Sequence, residues 1–140
     1  MASMTDAEIE RLLAGAEIGV LATVDAEHRP EGSPVWFEHS DGSVNVLVHR
    51  DSRKARSIAA NPHVSLTVDT RSAPYRGVIL RGTAALSGPD PTLRRRLAHR
   101  YLGAETGERY LKTTAYLDQE DALVTIRVTS YYSWDYSKGF

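Results

Sequence analysis

The dipeptide Asp41-Gly42 constrains this chain most. It separates two strand-like runs, about Pro30 to His39 and Val44 to His49. So short a connection permits only an antiparallel hairpin, because a parallel pair needs a crossover of a dozen residues or more. Gly tolerates the positive φ that such a turn requires. Further strand runs follow the same style. Glu17 to Val24 is apolar on both faces and is expected to be buried on both. Val64 to Val68 alternates cleanly, and Tyr75 to Leu86 contains Gly77 and Gly82, which suggest a bulge or a close backbone approach. Leu123 to Val128 alternates again.

Helices are fewer. Thr5 and Glu8 have the spacing of a capping box, ahead of an apolar stripe of Ile9, Leu12 and Leu13 that Gly15 ends. A short helix is predicted over Ser52 to Ala60, stopping before Asn61-Pro62, and a longer one over Pro91 to Leu102. Leu93, Leu97 and Tyr101 form the stripe of the longer helix, and Arg94-Arg95-Arg96 reads as its solvated or partner-facing side. Residues Gly103 to Asp121 carry no clear pattern. This order is not a βαβ alternation. It predicts a mainly β (α+β) chain, one domain over 1–140, with six antiparallel strands in a closed or nearly closed barrel.

Composition narrows the function classes. The formal net charge is −1 and the pI about 6.5, which argue against a general nucleic-acid or membrane-surface binder. The absence of Cys removes disulfides, thiolate catalysis and Cys-ligated metals. The five His show no ligand spacing, so neither a metal site nor a catalytic acid or base is assigned. A soluble cytoplasmic protein is expected.

The densest chemical signal is the stretch Arg50-Asp51-Ser52-Arg53-Lys54-Ala55-Arg56-Ser57, with four basic residues against one acid. It sits where a strand gives way to a helix. There, open backbone N–H groups, the helix dipole and side-chain cations together suit a phosphate. The alternative is a solvated helix face. His49 ends the strand that enters this corner. It is read as either a groove-lining or a partly exposed residue.

The ordered set Gly19-Val20-Leu21-Ala22-Thr23-Val24, Arg29-Pro30, Ser33-Pro34-Val35-Trp36-Phe37, Ser52-Arg53-Lys54-Ala55-Arg56 and Asn61-Pro62-His63-Val64-Ser65-Leu66 resembles the pyridoxamine 5′-phosphate oxidase-like split-barrel superfamily. It is most similar to the actinobacterial flavin and deazaflavin oxidoreductases. The resemblance implies a six-stranded antiparallel split barrel and a homodimer with cofactor sites between subunits. It also implies FMN or the deazaflavin coenzyme F-420 as cofactor, and a small organic substrate. It places the cofactor phosphate at Ser52, Arg53 and Lys54, with Arg50 beside them, and the flavin ring along Pro34, Val35 and Trp36. Trp134 would close the site from the partner subunit. Ser33, Glu38 and Gly77 stand where the vitamin enzymes carry basic residues and a flavin-reading Gln, so a true pyridoxamine phosphate oxidase is not expected. Two rival readings remain. One is a non-catalytic FMN- or haem-binding split barrel, and the other is a binding protein that uses the Arg94-Arg95-Arg96 helix.

Overall fold

The hairpin turn forms as its two residues dictate. In the computed structural model, which describes residues 2–139, Asp41 and Gly42 have φ of 49° and 75°. Two left-handed residues in succession match the right-handed twist of the flanking strands. The turn joins β3 (Glu38–Ser40) to β4 (Ser43–His49), with Ser40 opposite Ser43. The other strands are β1 (Gly19–Val24), β2 (Pro30–Val35), β5 (His63–Asp69), β6 (Arg76–Ser87) and β7 (Asp121–Asp135). All pair antiparallel, in the order β2-β1-β5-β6-β7-β4-β3. The register shifts between Arg81 and Gly82, at one of the two glycines read as irregular.

Among the described residues the sheet has seven strands and does not close, which corrects the expected six strands in a closed or nearly closed barrel. The predicted Pro30 to His39 strand breaks at Trp36 and Phe37. Its halves, β2 and β3, stand at opposite edges of the sheet. Two linking residues span only about 10 Å, so the sheet must curl until its edges face one another. The break has a side-chain cause. Phe37 is fully buried, and the Tyr101 hydroxyl, not a neighbouring strand, contacts its N–H at 3.2 Å. The same hydroxyl donates to the Glu17 carbonyl at 2.9 Å.

Alternate residues fill the inside of the curled sheet. Leu21, Val44, Val46, Leu66, Val68, Val78, Leu80, Val124 and Ile126 are fully buried. The outer face of β1 is only half-buried at Val20, Ala22 and Val24, so that strand alternates where burial on both faces was expected. Helix α1 (Asp6–Ala14) begins at the predicted capping box and buries Ile9, Leu12 and Leu13. Helix α2 (Arg53–Ala60) buries Ala55 and Ile58. Helix α3 (Pro91–Leu102) has its predicted bounds. The segment without a sequence pattern forms α4 (Ala104–Thr113) and α5 (Leu117–Glu120). Among the described residues, no helix is long and apolar enough to cross a membrane.

Candidate functional site

The corner after β4 is built by Ser52. Its hydroxyl accepts the Ala55 N–H at 3.2 Å and starts α2. The Arg53 and Lys54 amides stay at the open end of the helix, where positive potential is greatest. The cations then diverge, because successive helical residues point about 100° apart. Arg53 is largely exposed and meets Glu31 at 3.2 Å. Arg56 donates to the Asp51 carbonyl at 2.7 Å. Arg50 reaches the Gln119 carbonyl at 3.4 Å and lies 3.8 Å from Asp51. Lys54 is half-buried and has no hydrogen-bond or ion-pair partner among the described residues.

Lys54 opens into a cavity of about 400 Å³. Pro34, Val35 and Trp36 line it from β2 and the break, together with Ile18 and Leu47. Trp36 is held by its neighbours. It stacks on Tyr101 with centroids 5.3 Å apart and planes 4° apart, and Tyr110 tilts against it at 5.4 Å. The cavity therefore brings together Lys54, Pro34, Val35 and Trp36 from the predicted site and leaves Arg50, Ser52 and Arg53 at the corner outside it.

The remaining wall comes from α3 and from the segment that carried no sequence pattern. Arg94, Leu97, Tyr110 and Asp121 complete the lining. Arg94 is 5% exposed, which corrects the solvated Arg94-Arg95-Arg96 face. Its guanidinium donates to Asp118 at 2.7 Å, to Thr114 at 2.9 Å and to the Leu111 carbonyl at 3.3 Å, and lies over the Tyr110 ring. Arg95 binds Glu108, and Arg96 grips Glu38 through two bonds of 2.9 and 3.1 Å. One sequence signal was available: Arg94 precedes Leu97 by three residues and so shares the apolar face of α3. Asp121 begins β7 opposite His49. Burial pushes its carboxyl above the ordinary range, against the pull of Arg94 and His49. Its carboxylate has no hydrogen-bond partner among the described residues.

Two further predicted residues, His49 and Trp134, also lie outside this cavity. His49 accepts the Asp51 N–H at Nδ1 (3.1 Å), which leaves Nε2 to donate to Glu120 at 3.2 Å. Trp134 lies across Gly77 on the neighbouring strand; a Cβ added to Gly77 would come within 2.5 Å of the indole. No side chain fits there beside Trp134.

Comparison with known proteins agrees with this architecture. The curated pyridoxine/pyridoxamine 5′-phosphate oxidase of Anaplasma phagocytophilum is 44% identical over 66 residues, covering 46% of this chain and 32% of that one. The match to that relative thus spans about a third of its length. Among solved structures, an F-420 reductase superimposes with a TM-score of 0.73 at 28% identity, over 88% of this chain and 94% of that one. A conserved hypothetical protein of Mycobacterium tuberculosis gives a TM-score of 0.78 at 26% identity, over 96% and 87%. The family model described as pyridoxamine 5′-phosphate oxidase matches residues 5–135, from the first capping box to the end of β7. With the split barrel and nearly its whole length accounted for in this way, the chain belongs to the pyridoxamine 5′-phosphate oxidase family.

Proposed function

We propose that this protein is a flavin- or deazaflavin-dependent oxidoreductase that acts on a small organic substrate, with coenzyme F-420 favoured over FMN. One observation carries the reading. Lys54, unpartnered beside the open end of α2, shares a single cavity with Pro34, Val35 and Trp36. An anion on one side and a flat apolar ring on the other is the form of both cofactors, and the cavity supplies a group for each. The cofactor, when bound, supplies hydride transfer. Lys54 and the α2 amides hold its phosphate. Pro34, Val35 and Trp36 flank the ring and keep water from it. Arg50 and Arg53, exposed at the corner, face an acidic tail such as F-420 carries. The likeness to the F-420 reductase, at 28% identity over 88% of the chain, supports that cofactor.

The vitamin substrate is not proposed. Glu38, where a basic residue would stand, is held by Arg96, and the space beside Gly77 is filled by Trp134. A homodimer is proposed as well. Tyr132 is 49% exposed beside Trp134, an aromatic face suited to a second copy. A stable monomer in sedimentation would remove that part.

The test is a fluorescence titration with F-420 and FMN side by side. Saturable F-420 binding stronger than FMN binding is expected. FMN preference moves the protein to the flavin branch. Binding of neither, with a Soret band on addition of haem, overturns the redox reading.

A further inference from the structure

We propose that Asp121 selects the substrate: the cavity beside Lys54 takes a molecule bearing a protonated amine, seated on the Asp121 carboxylate. The inference rests on the cofactor reading in one respect, that an anion takes up the charge of Lys54.

It follows from the charges in the cavity. Three lining residues can carry a charge: Lys54, Arg94 and Asp121. Arg94 is already committed to Asp118, Thr114 and the Leu111 carbonyl. Lys54 is assigned to the cofactor phosphate. Among the described residues that line the cavity, Asp121 alone is left with a charge that no donor meets. The groups that act on it are Arg94 from α3, His49 from β4, and Asp118 and Glu120 from α5. Arg94 is turned to Asp118 and His49 to Glu120, so neither is left to meet Asp121. A half-buried carboxylate without a donor loses hydration and gains nothing in return. A ligand that brings an ammonium restores that bond. A carboxylate ligand would meet repulsion at Asp121 and find Arg94 engaged.

The test uses benzylamine, benzyl alcohol and benzoate as probes. Dissociation constants are measured by ligand-observed NMR on the full chain, once with saturating F-420 and once with inorganic phosphate. Benzylamine is expected to bind at least about tenfold more tightly than the other two. Asp121→Asn is expected to abolish that preference without lowering the melting temperature. In the unaltered protein, benzylamine affinity should fall as acid protonates Asp121, while that of benzyl alcohol holds. Benzoate binding as tightly as benzylamine overturns the proposal, as does a preference that survives Asp121→Asn or acid. A benzylamine preference in phosphate, with no F-420 binding in the same protein, sinks the cofactor reading and leaves this one standing.

Discussion

The two sides of the cavity were built by different kinds of information. The α2 side comes from a contiguous stretch, Ser52 to Arg56, whose helix start and cations are written locally. The opposite side comes from Arg94, Tyr110 and Asp121, which stand on three elements and meet only when α3, α4 and β7 pack. The α2 side leaves its cation Lys54 without a partner among the described residues, whereas the opposite side spends its own cation, Arg94, on structure. A charge run in sequence is therefore no guide to which charge is available. Of Arg94, Arg95 and Arg96, the first is buried and the others are tied to Glu108 and Glu38.

The contrast breaks first at Arg94. Arg94→Met removes three hydrogen bonds from the buried guanidinium and should cost about 2–3 kcal/mol. Arg95→Ala, at an exposed pair, should cost under about 0.5 kcal/mol. Urea unfolding of both variants measures the difference, and equal costs would return the run to a solvated face.

On the α2 side the expected effect lies in binding, not stability. Lys54→Glu should weaken F-420 by about a hundredfold, with an unchanged unfolding midpoint. Arg53→Glu should weaken it several-fold at most, since that side chain leans to Glu31.

A smaller effect is expected at the break between β2 and β3. Tyr101→Phe removes the hydroxyl that contacts Phe37 and Glu17 and should cost about 1–1.5 kcal/mol. A neutral result by thermal unfolding would mean that the edges hold together without it.

The smallest effect is a pH dependence. Because burial raises the Asp121 carboxyl in the folded chain, the folded state holds that proton more tightly than the unfolded one. Asp121 therefore adds stability as pH falls through its folded value, and withholds it above that value. Asp121→Asn should flatten this part of the stability profile and leave neutral-pH stability equal or slightly higher. A loss of stability at neutral pH would show that the carboxylate is supported after all.

What sequence made legible follows the same division. The hairpin, the capping box, the bounds of α3 and the start of α2 rest on residues within a few positions of each other, and all appear in the structure. The Trp36-Phe37 break was hidden because its cause, Tyr101, lies 64 residues away. The burial of Arg94 was hidden for a similar reason, since its partners Thr114 and Asp118 fall in a segment without a periodic pattern. Pro34, Val35 and Trp36, expected along the flavin ring, came from the family resemblance, and the cavity places Lys54 with them.

The most direct measurement is F-420 titration of Lys54→Glu and Arg53→Glu in parallel with the unaltered protein. The account predicts a large loss of affinity at Lys54, a small one at Arg53, and equal unfolding midpoints for all three. Equal losses at both positions, or none at Lys54 in a folded variant, would contradict a cofactor phosphate held at the cavity.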